Sequence, residues 1–107
     1  MLVLPIKRVW FDKIKTGEKR EEYREFKKYY HSRFQKYMPK KVGPREYIAP
    51  MFEVIFRNGY EHNSPKIKCK CILDIGEGKQ KWGAIPGQTY YILKILEVLE
   101  VRNDVQV

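Results

Sequence analysis

Cysteine and histidine are scarce here, two of each in 107 residues, and that scarcity excludes several chemistries at the outset. Cys69 and Cys71 stand one residue apart in an alternating segment, so they point the same way, and a disulfide between such neighbours would be strained. No histidine pair at ligand spacing accompanies them, so no zinc or other metal site is expected. They read as buried, reduced thiols, which fits the cytoplasm. Acid–base chemistry on paired imidazoles would require His31 and His62 to converge, which their spacing does not show. No apolar run approaches membrane-spanning length, and Met1 to Ile6 is too short for the apolar region of a signal peptide. The chain therefore reads as a soluble cytoplasmic protein with no membrane partner. Linkers, internal repeats and low-complexity tracts are missing too. Gly76-Glu77-Gly78-Lys79 lacks the G-x-x-x-x-G-K-[ST] pattern of a phosphate loop, and no cofactor is expected.

Acidic residues are the minority charge, 13 against 22 lysines and arginines, for a net +9. Placement matters more than size. Residues 1–45 hold 14 basic and 5 acidic side chains, whereas residues 46–107 hold 8 of each, so all the net charge lies in the first part. Such asymmetry favours a polyanionic partner approaching one side, against the plainer reading of solubility through excess lysine. What remains is ordinary: 43% hydrophobic and 14% aromatic residues are ample for a packed interior. The length suits a single domain, 1–107.

Along the chain, Leu2 to Ile6 reads as a first strand. Residues 7–16 read as a helix, with Ile6, Trp10 and Ile14 on one face and Lys13 and Lys15 complementing the macrodipole in its last turn. A strand over about 18–25 follows. Residues 27–38 predict a second helix, with Tyr30, Phe34 and Tyr37 as a core stripe and Tyr29, Arg33 and Lys36 as a basic, aromatic edge. That edge suits base stacking and phosphate binding, although rings at helical spacing are more often simply core. His31 is expected exposed beside it.

Residues 39–45 read as a basic loop. Phe52 to Phe56 predicts a strand with Phe52, Val54 and Phe56 inward, running into a tight turn at Asn58-Gly59. Arg57 stands at the strand exit, where a guanidinium can clamp a phosphate or stack on a base. From Lys66 to Ile75 alternation predicts Ile67, Cys69, Cys71, Leu73 and Ile75 inward. Lys66, Lys68 and Lys70 face outward, extending a basic surface or, by preference, guarding a sheet edge. Residues 76–79 read as a loop, 89–101 as a strand bent near Leu96-Glu97, and 102–107 as a loose tail.

The run Thr16-Gly17-Glu18-Lys19-Arg20-Glu21-Glu22-Tyr23-Arg24 organises the rest. Gly17 ends the helix in a left-handed cap, and the chain leaves extended, with Glu22 and Arg24 on one face and Lys19 just past the turn. A carboxylate between two cations holds them while both stay able to meet an anion or a base edge. The bland alternative is a solvated strand laced with weak ion pairs.

Gly17-x-Lys19-x-x-Glu22-x-Arg24 resembles the G-x-K-x-x-E-x-R signature of the ASCH (activating signal cointegrator homology) domain. The opening strand and helix with Trp10 and Ile14 match that family's usual beginning. Pro86-Gly87-Gln88-Thr89-Tyr90-Tyr91-Ile92-Leu93 is similar to the last barrel strand of its small bacterial members. The resemblance covers nearly the whole chain. It implies an α+β fold: a small PUA-like β-barrel of about five or six strands with two helices in the N-terminal half. It also implies a cleft suited to RNA or a nucleotide.

On this reading Lys19, Arg24 and Arg57 contact phosphate or base oxygens, Glu22 holds those cations or accepts a base proton donor, and Trp10 or Tyr29 stacks. Arg33 joins from the second helix. The competing reading is an enzyme. Some small members deacylate acetylated cytidine nucleosides with a lysine, a threonine and a glutamate, and Lys19 matches that lysine. Glu22 stands where the threonine would fall, so the nucleophile is missing, although a carboxylate can activate water. Ribonuclease activity is also associated with the family. Lys19 and Glu22 would be the catalytic pair in either case. A third class is a module binding an acidic protein.

Overall fold

The computed structural model describes residues 1–103. Its strands are β1 (Leu2–Pro5), β2 (Glu21–Glu25), β3 (Lys40–Lys41), β4 (Tyr47–Ile48), β5 (Phe52–Arg57), β6 (Lys66–Glu77) and β7 (Thr89–Arg102), and its helices are α1 (Arg8–Lys15) and α2 (Lys28–Phe34). The class is α+β. Five strands form a mixed sheet in the order β1-β5-β6-β7-β2, and β3 and β4 form a separate ribbon. Contacts divide the chain into two compact units: Met1–Arg20, Glu53–Cys71 and the chain from Ile95 make one, and Glu21–Phe52 with Ile72–Lys94 the other.

In the first unit β1 runs parallel to β5, Leu2 opposite Val54 and Leu4 opposite Phe56. Leu4, Val54, Phe56, Ile67, Cys69 and Cys71 are buried, as period-two alternation predicts. Both thiols are free, and burial pushes Cys69 up to about 12 and Cys71 further. On α1, however, Phe11 and Ile14 are the buried residues, and Trp10 is only half-buried. The apolar face is rotated by one position, because Phe11 lies i−3 from Ile14 and shares its side of the helix.

The lysines of β6 do not guard an edge, since β6 is the central strand. Two of them face acids instead, Lys68 Nζ 3.9 Å from both Glu53 and Glu100 and Lys70 Nζ 3.8 Å from Glu97, while Lys66 Nζ donates to the His62 carbonyl at 2.6 Å. No two-residue turn forms at Asn58-Gly59. The Asn58 N–H donates to the Pro65 carbonyl (3.0 Å), closing a longer loop, and its side-chain amide donates to Ile6 O at 2.9 Å.

In the second unit β2 pairs antiparallel with β7, Glu22 opposite Leu93 and Arg24 opposite Tyr91. The predicted second helix is shorter than expected: α2 ends at Phe34 and a 3-10 turn covers Gln35–Tyr37. That tightening shifts Tyr37 off the stripe. Phe34 alone of Tyr30, Phe34 and Tyr37 is buried, its ring 5.1 Å from Tyr91, whereas Tyr37 stacks on Phe52 at 4.1 Å. The basic loop contains β3, paired Lys40 to Ile48 and Lys41 to Tyr47. β6 continues to Glu77, where a loop was expected. Ile75 keeps its predicted side of β6 but is 37% exposed, because the core ends at Leu73 and an open groove begins. β7 is a strand from end to end and includes Arg102. The rest of the expected tail, from position 104, lies outside the described residues.

Candidate functional site

Local geometry brings Lys19 back over its own helix. Thr16 closes α1, the Thr16 N–H donating to Asp12 O, and Gly17 follows at φ +82°, a left-handed conformation that costs little without a Cβ. The Gly17 N–H donates to Ile14 O at 3.1 Å and the Lys19 N–H to Lys13 O at 3.0 Å, so the chain folds against the helix end. The Lys19 side chain is buried, at 2% exposure, with Nζ 4.0 Å from the centroid of Trp10. A desolvated ammonium on an indole face gains about 2 kcal/mol or more. Trp10 thus orients a cation; it also carries Lys13 at 5.4 Å.

In the second unit, alternation along β2 buries its charges. Glu22 is 6% and Arg24 9% exposed, whereas Tyr23 takes the other face, its ring 5.6 Å from Tyr90. Arg24 Nη2 donates to Glu22 Oε2 at 2.7 Å, and Arg24 Nη1 lies 3.5 Å from the Tyr30 hydroxyl. This is a buried, charge-assisted pair. The solvated-strand reading of the motif is therefore wrong. Lys19, Glu22 and Arg24 are the only buried lysine, arginine or acidic side chains among the described residues.

Tyr23 supports β2 from behind. Its hydroxyl donates to Glu21 Oε1 (2.8 Å) and accepts the Lys79 N–H (2.9 Å). Burial, with the neighbouring Glu21 carboxylate, raises its pKa well above the usual tyrosine range; the Lys79 N–H opposes this.

The remaining candidates divide between the units. Arg57 ends β5 in the first unit, half-buried, its Nε atom enclosed with no hydrogen-bond partner among the described residues. Tyr29 and Arg33 form their own exposed pair in the second unit, the guanidinium carbon 3.6 Å from the ring centroid. Tyr29 meets Tyr30 edge-on at 4.9 Å, so Glu22, Arg24, Tyr30, Tyr29 and Arg33 form one chain of contacts. Tyr30 is the link that sequence reasoning assigned to the core. Helical spacing put it there; only its position beside the guanidinium reveals the polar role. His31 is exposed as expected, with its imidazole hydrogen-bonded to the Tyr91 hydroxyl. Among the described residues no group of three or more histidine, cysteine or acidic side chains is arranged to hold a metal. No described helix is long and apolar enough to cross a membrane.

No protein-family model, curated protein or solved structure matches this chain.

Proposed function

We propose that this is an RNA- or nucleotide-binding protein of the ASCH type, with a PUA-like fold, in which Lys19, Glu22 and Arg24 contact the ligand. One observation carries the reading: among the described residues the buried charges are these three side chains, drawn from a single short run. Burying ionised groups costs several kcal/mol each, by order of magnitude, unless they are paired and hydrogen-bonded. A +9 chain with ample exposed lysine gains no solubility by enclosing them. Their placement makes sense as recognition: the cations reach phosphate or base oxygens, and Glu22 aligns Arg24 and offers an acceptor to a base amino group. Stacking falls to Tyr29, which is exposed, and to whatever face of Trp10 Lys19 leaves open. Arg57, half-buried at the end of β5, offers its guanidinium as a further donor.

Hydrolysis of an acyl-cytidine or of RNA is the competing function, with Lys19 and Glu22 as its catalytic pair. Glu22 replaces the amidohydrolases' threonine, and its carboxylate is engaged with Arg24 at 2.7 Å. Binding is the better account.

The test is titration of a labelled single-stranded oligoribonucleotide and of nucleoside monophosphates into the parent, Lys19→Ala and Arg24→Ala. Affinity should fall about tenfold or more in each variant, the scale of one lost specific contact, with circular dichroism unchanged. If both folded variants bind as the parent does, the assignment fails. Turnover of acyl-cytidine that disappears in Glu22→Gln would install the enzyme in its place, and binding of an acidic protein but no oligonucleotide would install an interaction module.

A further inference from the structure

The second unit holds a groove that the motif does not use. It is an open groove of about 460 Å³, a volume within the range of small-ligand sites. Phe26, His31 and Tyr91 form one wall: the Phe26 ring lies 4.7 Å from His31 and 4.8 Å from Tyr91, edge-on to both. The hydrogen bond between His31 and the Tyr91 hydroxyl fixes that wall. Phe26 is nonetheless 47% exposed, and Ile75, also lining the groove, is open to solvent. Lys28 stands on the groove and has no ion-pair partner among the described residues, unlike Lys27, which is 3.6 Å from Glu25. Gln35 lines it as well, and its side-chain amide makes no hydrogen bond among the described residues. Open apolar and aromatic surface, one uncommitted cation and one uncommitted amide make a set that suits a planar heterocycle attached to a phosphate. An aliphatic side chain would leave the amide and the ammonium unused. The groove also adjoins the motif strand, because Tyr91 is the cross-strand partner of Arg24 and shares its face of the sheet.

We propose that this groove is a second nucleobase subsite, so that the ligand is a single strand of at least two nucleotides rather than a free mononucleotide. The base lies on Phe26, the Gln35 amide meets its edge, and Lys28 meets the backbone phosphate. The inference deepens the nucleic-acid reading above and rests on it.

The experiment separates the two. Parent, Phe26→Ala, Phe26→Tyr, Lys28→Ala and Arg24→Ala are titrated with a nucleoside monophosphate and with a single-stranded hexaribonucleotide. Phe26→Ala should weaken hexamer binding about tenfold, the effect of one lost base stack, and leave the monophosphate unchanged. Phe26→Tyr should restore it, and Lys28→Ala should weaken hexamer binding several-fold. Because Lys28 is exposed, that variant keeps the test decisive even if Phe26→Ala misfolds. Unchanged hexamer affinity in folded Phe26→Ala or in Lys28→Ala, with loss in Arg24→Ala, overturns the subsite and leaves the motif assignment standing. A parent that binds neither ligand overturns both.

Discussion

At the scale of single residues, the question is whether Glu22 and Arg24 stabilise the fold or occupy a site. A buried ion pair is weak support for stability: desolvation offsets most of the Coulomb gain, and an apolar pair of similar volume often does as well or better. Removing one partner is different, since it leaves a charge enclosed and uncompensated. Arg24→Met should therefore destabilise the protein by about 3–5 kcal/mol, whereas Glu22→Leu combined with Arg24→Met should recover most of that loss. Oligonucleotide affinity should fall about tenfold or more in both. Urea denaturation beside a binding titration checks this. A double variant as unstable as the single one would make the pair structural. Nothing in the sequence distinguished these outcomes. Glu-x-Arg at strand spacing looks the same on a solvated face as on a buried one, and only the enclosure of both side chains separates the two.

At the scale of elements, what was legible depended on whether a local period decided the matter. Ile67, Cys69, Cys71 and Leu73 alternate on β6 and are buried, since a pleated strand leaves no other choice of face. The face of α1 was less well determined: Trp10 and Phe11 are adjacent, and either could lead the apolar stripe. Of the loop expected over 76–79, Gly78 and Lys79 are loop, whereas Gly76 and Glu77 continue β6; glycine marks turns, but Gly78 also serves packing. A Cβ there would meet Ala84 Cβ and the Tyr23 ring at 2.7 Å, far inside contact distance. Gly78→Ala should therefore displace Tyr23, the residue that ties β2 to Lys79, and cost about 1–3 kcal/mol as overpacking. Gly76→Ala is the control, because its added carbon would sit 3.8 Å from Ile92, an ordinary contact. Thermal unfolding should show a clear loss for Gly78→Ala and little for Gly76→Ala. Equal melting temperatures would mean that Tyr23 moves aside freely.

At the scale of the whole molecule, the charge asymmetry read from the sequence acquires a physical basis. The later part of the chain neutralises itself: Lys68, Lys70, Lys94 and Arg102 each lie within ion-pair distance of an acid. The first part holds nine more cations than anions, so the uncompensated field comes from there. A polyanion should feel that difference through counterion release, in which each cation that neutralises a phosphate adds about 0.7 to the slope of log affinity against log salt for a single strand. Lys28→Ala should therefore flatten the slope by about 0.7. Lys68→Ala, taken from a lysine that lies 3.9 Å from two carboxylates, should leave it unchanged. Arg24→Ala distinguishes two modes of contact. A lower affinity with an altered slope means that its guanidinium meets a phosphate. A lower affinity at every salt concentration with the slope preserved means that it reads a base, as its alignment by Glu22 favours. Equal slopes for parent, Lys28→Ala and Arg24→Ala, with equal affinities, would reduce the net charge of the first part to a matter of solubility and remove the electrostatic case for a nucleic-acid partner.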